Sequence, residues 1–254
     1  MILANRNAIV TGGAHRLGAA IVRDLTKAGV NVFVHYFNSG TAAKALASEL
    51  CTERVTVVTG KADLSDPSCA SGLIATATAK LGPISLLVNN ASNFPENTLA
   101  NTTIKDWHTT IDTSLSSPIF LTQAFAESLP PDIEGSVVNI TDSRTRTPYI
   151  KHFTYAVAKG GVDTFTRAAA VALGPQIRVN AVAPGIVLPP PGENNDYIDR
   201  MAEALPLRQP GSSESIAHAV RALLENDFIT GEILNVDGGG KLTTASNPPN
   251  SAIH

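Results

Sequence analysis

Tyr155 and Lys159 lie four residues apart in a long alanine-rich stretch, and this pair of residue types can carry out proton transfer. Residues at positions i and i+4 share one face of a helix, so the phenol and the ammonium group can touch. A tyrosine titrates near ~10, and a neighbouring positive charge lowers that pKa toward the working range. The pair therefore predicts a proton donor, although the same spacing also occurs on ordinary amphipathic helices.

A glycine-rich segment near the start of the chain supplies a site that such a donor would need. The apolar run 7–11 is followed by Gly12, Gly13 and Gly18, and then by the amphipathic stretch 19–28. Glycines in a strand–turn–helix unit let the backbone approach a pyrophosphate, and the helix N-terminus offers unpaired N–H groups. We therefore expect a dinucleotide here, although the spacing is not the plain G-x-G-x-x-G pattern.

Short apolar runs and amphipathic stretches continue to alternate along the chain. Further strands are predicted at 30–36, 55–59, 84–88, 135–140, 177–182 and 232–236, and helices at 41–50, 66–81, 103–114, 118–129, 155–173 and 213–225. Apolar runs without polar alternation are typical of a sheet covered on both faces. The pattern predicts an α/β fold, a single-domain Rossmann-type doubly wound parallel sheet with helices on both faces. The domain is expected to cover residues 1–240, followed by a polar tail at 241–254.

Composition and charge disfavour several classes of partner. The net charge is −3 and the Lys and Arg residues form no runs, so neither nucleic acid nor a membrane surface is expected as a partner. A small-molecule substrate is the better expectation. No apolar run approaches the ~20 residues of a membrane helix, and the first residues lack the apolar core of a signal peptide, which favours a cytoplasmic protein. The six His and two Cys residues show no metal-ligand spacing, so no metal is expected.

Two segments depart from the alternating pattern. Residues 186–200 follow the sixth strand and contain Pro189-Pro190-Pro191-Gly192. They are interpreted as a mobile loop that covers a substrate, the alternative being an inert surface insertion. Gly160 and Gly161 lie inside a predicted helix, where each costs on the order of 1 kcal/mol relative to Ala. Close packing, such as against a helix of another subunit, would explain them.

Five motifs stand in the order found in the short-chain dehydrogenases/reductases. They are Thr11-Gly12-x-x-x-Arg16-x-Gly18, Asn89-Asn90-Ala91, Tyr155-x-x-x-Lys159, Pro184-Gly185 and Asp237-Gly238-Gly239. The chain resembles this superfamily over roughly residues 6–240. The resemblance implies a Rossmann-type sheet, a nicotinamide cofactor, hydride transfer and usually a homotetramer built through the long helices.

Four positions narrow the resemblance to one branch of the superfamily. Arg16 stands where most members have Gly, Ser92 stands where they have the Gly of Asn-Asn-Ala-Gly, and Asp142 stands where they have Ser. Together with Phe94, these departures are similar to the pteridine reductases and the dihydromonapterin/dihydrofolate reductases. A pterin-type substrate is therefore expected.

The resemblance also implies catalytic roles for particular residues. Tyr155 would deliver a proton to a ring nitrogen, Lys159 would hold the nicotinamide ribose and tune Tyr155, and Asp142 would position or reprotonate the phenol. Ser114 occupies the place of an Asn that usually completes the set, and its hydroxyl could hold a water relay. Asp142 could instead simply cap a turn.

The expected substrate contacts surround the same pair. Phe94 would stack on the pterin ring, Arg16 would bond both a cofactor phosphate and the pterin, and Ser92 would add a polar contact. His152 would line the pocket, and Asp142 and Tyr155 would also touch the substrate. The alternative for Phe94 is an ordinary place in the core.

NADPH/NADP is the expected cofactor because no Asp or Glu follows the second strand, where an acid would repel a 2′-phosphate. The residues expected to bind it are Gly12, His15, Arg16, Leu17, Gly18, Tyr36, Asn38, Ser39, Asp63, Leu64, Asn90, Ala91, Ser92, Tyr155, Lys159, Pro184 and Gly185.

Three functions remain open from the sequence. The first is an NADPH-dependent pterin reductase, and the second is a carbonyl reductase or alcohol dehydrogenase of broad or unknown ketone specificity on the same scaffold. The third is a non-catalytic NADP-binding sensor, against which the intact Tyr155 and Lys159 pair argues.

Overall fold

The computed structural model describes residues 1–189 and 194–242. Seven parallel strands form one sheet in the order β3-β2-β1-β4-β5-β6-β7. The strands are β1 Asn7–Val10, β2 Asn31–Tyr36, β3 Val57–Lys61, β4 Leu86–Asn89, β5 Gly135–Ile140, β6 Ile177–Pro184 and β7 Ile233–Val236. The predicted doubly wound parallel sheet is confirmed.

Eight α-helices connect or follow these strands in the described parts of the chain. They are α1 Arg16–Lys27, α2 Gly40–Leu50, α3 Ala70–Leu81, α4 Ile104–Ile111, α5 Ser117–Ser128, α6 Phe153–Leu173, α7 Asn195–Ala202 and α8 Ser213–Glu225. None of them combines the length and the apolar character that a membrane-spanning helix requires.

The core consists of two apolar layers, one on each face of the sheet. Successive residues of β1 alternate between them, so that Ala8 and Val10 join one layer and Ile9 joins the other. Helices α1, α2 and α8 cover the first layer, while α3, α5 and α6 cover the second. This two-sided burial explains why the strands have no polar alternation.

The strand order reverses between β1 and β4, which are direct neighbours in the sheet. Val10 is paired with Val34 on one side and with Val88 on the other, so the chain leaves β1 at a crevice beside the end of β4. In open α/β sheets, ligands bind at such a switch point beyond the carboxyl ends of the strands. The glycine turn and the motif after β4 both begin there.

The two helices predicted at 103–114 and 118–129 form one continuous helical segment in the structure. A π-helical turn, Asp112–Ser116, joins α4 to α5. The predicted break between the two helices is wrong, because Pro118 lies in the first turn of α5, where a missing N–H is tolerated. Single π-turns of this kind often occur at functional sites.

The segment predicted as a loop at 186–200 is partly helical. Asn194 caps α7 by accepting a hydrogen bond from Tyr197 N at 3.4 Å, and α7 then runs to Ala202. The sequence did not predict this helix because the proline cluster stands just before the capping residue. Residues 190–193 and the predicted tail beyond 242 lie outside the described residues.

Gly161 has its close neighbour within its own chain. A Cβ atom there would lie 2.7 Å from Leu115 Cδ2, so the glycine lets α6 approach the π-helical turn. A Cβ atom on Gly160 would meet nothing within 4 Å. The suggested intersubunit contact is therefore not what explains Gly161.

Candidate active site

The turn after β1 requires glycine at two positions. Gly12 has φ of +60°, in the left-handed region that residues with a Cβ rarely adopt. At Gly18, a Cβ atom would lie 2.1 Å from Gly12 O. The first turn of α1 is thus pressed against the loop, and this close packing forms a glycine cradle in which a larger residue would clash.

Thr11 and Asn90 fasten this turn to the end of β4. Thr11 Oγ1 accepts hydrogen bonds from Asn90 N at 2.9 Å and from Ala91 N at 3.0 Å. In return, Asn90 Nδ2 donates to Thr11 O at 2.8 Å. The reciprocal bonds hold the two motifs together at the switch point.

His35 is a further support of the turn that the sequence patterns did not single out. Its Nδ1 accepts from Gly12 N at 3.1 Å, and its Nε2 lies 3.2 Å from Ala62 O, to which it donates. This arrangement requires the neutral ring, and burial lowers the pKa of His35. The sequence could have indicated this role, because a histidine within an otherwise apolar strand is unusual.

A cleft of about 570 Å³ opens between the glycine turn and the ends of β2, β3 and β4. The predicted cofactor residues that line it are Gly12, His15, Arg16, Leu17, Gly18, Asp63, Leu64, Asn90, Ala91 and Ser92. The lining residues that were not predicted are His35, Phe37, Ser65, Asn93, Thr109 and Thr113. The predicted residues outside this lining are Tyr36, Asn38, Ser39, Tyr155, Lys159, Pro184 and Gly185.

Pro184 and Gly185 lie at the end of β6, where the chain passes close to β7. Gly185 N donates to Val236 O at 3.0 Å, and a Cβ atom on Gly185 would lie 2.6 Å from Asp237 Cα. Pro184 O accepts from Ser143 N at 3.1 Å, which joins this segment to the loop after β5. The two motifs therefore border the loop that carries Asp142.

Asp142 and Tyr155 form a hydrogen-bonded pair. The Tyr155 hydroxyl donates to Asp142 Oδ2 at 2.9 Å, and Arg144 N donates to Asp142 Oδ1 at 2.7 Å. Removal from water raises the pKa of Asp142, whereas these hydrogen bonds and the charge of Lys159 act in the opposite direction. Asp142 both caps its turn and holds the phenol.

The expected lowering of the Tyr155 pKa is wrong for this arrangement. Burial and the nearby Asp142 carboxylate raise the pKa of Tyr155 well above its ordinary value. The Lys159 ammonium lies 5.7 Å from the centre of the Tyr155 ring, farther than the carboxylate is from the hydroxyl. Tyr155 is therefore held in its protonated form, which is the form a proton donor needs.

Lys159 is buried beneath this pair and donates from Nζ to Ile140 O at 2.7 Å. Burial lowers the pKa of Lys159 to about 8, and the carboxylates of Asp142 and Asp163 oppose that shift. Two nearby carboxylates thus favour the charged ammonium in a poorly hydrated place.

Asp163 is a second functional carboxylate that the sequence patterns did not reveal. Its Oδ1 accepts from Thr141 Oγ1 at 2.6 Å, and its Oδ2 accepts from Thr145 Oγ1 at 2.7 Å. Asp163 lies four residues, one helical turn, beyond Lys159, and this spacing could have indicated that the two share a helix face. Asp163 fastens the loop after β5 to α6 and so fixes Asp142 relative to Tyr155.

Phe94 lies in an aromatic group beside the pair and not in either apolar layer of the core. The His152 ring is stacked on it at a centroid distance of 3.7 Å and an angle of 15°. The Tyr155 ring meets Phe94 edge to face at 4.7 Å. His152 Nδ1 donates to Pro95 O at 2.8 Å, which fixes the stacked ring. His152 therefore backs one face of Phe94, beside the proton donor.

Ser114 lies in the π-helical turn and is fully buried. Its Oγ is 3.0 Å from Ser92 Oγ and donates to Asn93 Oδ1 at 3.2 Å. The hydrogen bonds described for Ser114 fix the loop after β4 and do not include Tyr155 or Lys159. The structure thus joins Ser114 to Ser92, on the cleft side of the site.

Arg16 has an unusual backbone for a residue with a side chain. Its φ is +50°, and its Nη2 donates to Pro189 O at 2.6 Å. The guanidinium spans from the glycine turn to the segment after β6, across one side of the cleft.

A family model described as enoyl-(acyl carrier protein) reductase matches residues 12–241. The chain belongs to the short-chain dehydrogenase/reductase family. This membership confirms the predicted family, and it confirms that the chain is an oxidoreductase.

Among solved structures, this short-chain dehydrogenase/reductase is similar to FolM alternative dihydrofolate reductase 1 from Brucella canis, complexed with NADP. The identity is 35%, the coverage is 99% of each chain and the TM-score is 0.92. The FolM protein from Brucella suis, also in complex with NADP, has 35% identity, coverage of 97% of this chain and 98% of its own, and a TM-score of 0.91.

The sequence relatives of this short-chain dehydrogenase/reductase include enzymes with a different named substrate. A 3-oxoacyl-[acyl-carrier-protein] reductase from a Synechocystis species is 31% identical over 236 residues, which cover 91% of this chain and 95% of the relative. The solved structures and this sequence relative are thus named for different substrates.

Proposed function

We propose that this protein is an NADPH-dependent reductase of pterin-type substrates. It transfers a hydride to the ring, and Tyr155 delivers the accompanying proton. The observation that carries the proposal is the carboxylate of Asp142, hydrogen-bonded to Tyr155 at 2.9 Å, where most of the family has a serine hydroxyl.

A carboxylate and a hydroxyl select different substrates at this position. A serine hydroxyl can donate a hydrogen bond to a carbonyl oxygen, whereas an ionised carboxylate only accepts. Pterin rings carry N–H and NH₂ donors, which suit an acceptor. Asp142 therefore favours a nitrogen-rich ring over a simple ketone.

Phe94 supplies a flat aromatic surface beside the proton donor. His152 covers one face of its ring, and Tyr155 and Tyr149 meet it edge to face. A bicyclic aromatic substrate gains favourable offset stacking on such a surface. The pair of Phe94 and Asp142 thus matches both the shape and the hydrogen-bonding pattern of a pterin.

Arg16 also supports this choice of substrate. A non-glycine residue in the left-handed region costs about 1–2 kcal/mol, which a glycine would avoid. At φ +50° the Arg16 side chain makes a contact of its own, the hydrogen bond from Nη2 to Pro189 O at 2.6 Å. A planar fork of donors beside the cleft suits both a cofactor phosphate and the acceptor edge of a pterin.

The residues present fit NADP as the cofactor. Gly12 and Gly18 line the cleft of about 570 Å³, where the start of α1 offers its N–H groups to a diphosphate. Phe37 and Asn38 are exposed beyond β2, and no acid stands there to repel a 2′-phosphate. The FolM structures from Brucella were obtained with NADP, which supports the same choice. When bound, NADPH supplies the hydride.

The chain's own residues provide the proton and hold the reacting groups. The Tyr155 O–H bond breaks as its proton passes to a substrate nitrogen. Lys159, buried and favoured in its charged form by Asp142 and Asp163, stabilises the phenolate that results. Asp142 positions the phenol and accepts from the substrate.

A second candidate is an NADPH-dependent reduction of ketones or 3-oxoacyl thioesters. The observation that favours it is the likeness to the 3-oxoacyl-[acyl-carrier-protein] reductases of Synechocystis and Staphylococcus epidermidis. In this alternative Asp142 would be protonated and donate to the carbonyl oxygen, which its raised pKa assists.

A paired assay tests the proposal. Oxidation of NADPH and of NADH is followed with dihydrobiopterin, dihydrofolate, simple ketones and a 3-oxoacyl thioester. Turnover of a dihydropterin with NADPH supports the proposal, and turnover of ketones or thioesters alone overturns it in favour of the second candidate.

We also place the protein in the cytoplasm as a homotetramer. The helical segment of α4 and α5 exposes Trp107 and Phe120, and α6 exposes Val157. Large apolar side chains exposed along adjacent helices suit burial between subunits.

A further inference from the structure

Tyr149 places a second phenol against the Asp142 carboxylate. Its hydroxyl donates to Asp142 Oδ2 at 3.4 Å, and the same oxygen accepts from Tyr155 at 2.9 Å. The sequence patterns did not indicate Tyr149, which lies in the loop between β5 and α6. Two phenols thus share one carboxylate oxygen.

The neighbours of Tyr149 hold its ring in place. The Arg144 guanidinium lies over the ring at 4.5 Å from its centre, and Phe94 meets it edge to face at 5.9 Å. Arg144 N also donates to Asp142 Oδ1 at 2.7 Å, so one residue fixes both the carboxylate and the ring. The hydroxyl is therefore directed at Asp142 by packing as well as by its own hydrogen bond.

Proton transfer from Tyr155 removes a hydrogen-bond donor from Asp142 Oδ2, and Tyr149 can still donate to that oxygen. While Tyr155 is protonated it satisfies Asp142 Oδ2, but a phenolate cannot donate a hydrogen bond. The carboxylate would then face a new negative charge and lose its shortest donor to Oδ2. Burial and Asp142 raise the pKa of Tyr149, so this second phenol stays protonated and keeps its donor.

We propose that Tyr149 is a positioning residue that holds Asp142 Oδ2 by a hydrogen bond while Tyr155 gives up its proton. In that step the Tyr155 O–H bond breaks, an N–H bond forms on the substrate, and the hydride from NADPH forms the new C–H bond. The inference rests on the proposed function for the identity of the substrate only. Its geometry depends on Asp142 and the two phenols.

The first test compares Tyr149→Phe with Thr147→Val in the same protein. Thr147 lies two residues before Tyr149 in the same loop and is exposed, and no hydrogen bond of its hydroxyl is described, so it is the matched control. The charged or titratable groups that act on Asp142 or Tyr149 are Arg144, Tyr149, Tyr155, Lys159 and Tyr197.

Removing the Tyr149 hydroxyl should lower kcat about tenfold, since a hydrogen bond to a charged group is lost, while KM for NADPH stays unchanged. The acid limb of the kcat profile should move to higher pH because the carboxylate is less stabilised. Thr147→Val should change neither quantity. A kcat loss without movement of the limb, or equal losses in both variants, would overturn the proposal.

A second measurement does not depend on turnover or on a truncated side chain. 3-Fluorotyrosine at position 149 keeps the ring but makes the hydroxyl a stronger donor, so the carboxyl pKa of Asp142 should fall. Carbon-13 NMR of labelled aspartate, assigned with Asp142→Asn, follows that pKa. An unchanged Asp142 titration overturns the proposal, whereas absence of pterin turnover with the expected shift contradicts only the proposed substrate.

Discussion

The hydroxyl of Tyr155 lies 2.9 Å from Oδ2 of Asp142, so the phenol and the carboxylate form one hydrogen-bonded unit. This contact crosses from the loop after β5 to the first turn of α6. It depends on Asp163, which fastens the same loop to α6 through Thr141 and Thr145. A second carboxylate, Asp163, thus helps to fix the distance between Asp142 and Tyr155.

Asp142→Asn should raise stability at neutral pH and lower activity. The folded protein raises the Asp142 pKa, so this group favours folding only below its ordinary pKa, and that contribution is lost as pH rises through the folded value. The neutral amide should therefore increase the free energy of unfolding at pH 7 by about 1 kcal/mol. Urea denaturation at pH 7 measures this, and a clear loss of stability would contradict the assigned desolvation.

Arg16→Gly should separate stability from function. The left-handed backbone costs Arg about 1–2 kcal/mol, while glycine costs about 0.5–1 kcal/mol in entropy, so stability should be retained or rise by up to about 1.5 kcal/mol. The kcat/KM for a dihydropterin should fall at least about tenfold because a charged donor is removed.

Arg208→Gly is the matched control for this substitution. Arg208 also has φ of +50° and is exposed, but it lies beyond α7 and does not line the cleft as described. It should show the same stability effect without the loss of activity. Similar activity losses in both variants would mean that the Arg16 side chain has no direct part in binding.

Gly18→Ala should abolish binding of NADPH. The added methyl group would lie 2.1 Å from Gly12 O, so the glycine turn must move. Gly72→Ala, in α3, meets nothing within 4 Å and should instead stabilise the protein by about 0.5–1 kcal/mol. Fluorescence titration with NADPH and thermal unfolding of both variants distinguish the two effects. Full NADPH affinity in Gly18→Ala would rule out the cradle.

Acidification should weaken the glycine turn through His35. Its folded pKa lies below the ordinary value of ~6.5, so its contribution to stability is present above that value and is lost as pH falls toward the folded pKa. Protonation removes the acceptor for Gly12 N. The Kd for NADPH should therefore rise as the pH is lowered from 7.5 to 5.

His35→Asn keeps an acceptor near Gly12 N but cannot be protonated in this range, so its Kd should depend less on pH. The exposed His108, replaced by Asn, is the control and should behave like the original protein. An identical pH dependence in all three proteins would exclude His35 as its cause.

The sequence predicted the sheet and the order of the motifs because both depend on local patterns. Buried parallel strands give continuous apolar runs, and Gly12 and Gly18 indicate the turn after β1. The helix α7 was missed because the proline cluster stands just before its capping residue, Asn194. The π-helical turn was missed because the pattern predicts two separate helices, and the packing of neighbouring elements decides that they join at Asp112–Ser116.

The site was less predictable than the fold because its geometry depends on contacts between distant segments. Tyr155 and Lys159 are visible as a pair on one helix, but the support of Gly12 by His35 requires the pairing of β1 with β2. The direction in which the Tyr155 pKa shifts also depends on whether Lys159 or Asp142 lies nearer to its hydroxyl. Spacing indicates that Lys159 can touch the phenol, whereas only the folded loop brings Asp142 closer.

The most direct test of the central claim is the substrate preference of Asp142→Ser. The ratio of kcat/KM for dihydrobiopterin to kcat/KM for a 3-oxoacyl thioester is measured with NADPH in the original protein and in this variant. The account predicts a ratio well above one in the original protein and a fall of about 100-fold in the variant, since the charged acceptor for ring N–H groups is replaced by a neutral hydroxyl that can donate to a carbonyl oxygen. A ratio below one in the original protein, or one that Asp142→Ser leaves unchanged, would contradict the claim that this carboxylate selects a pterin.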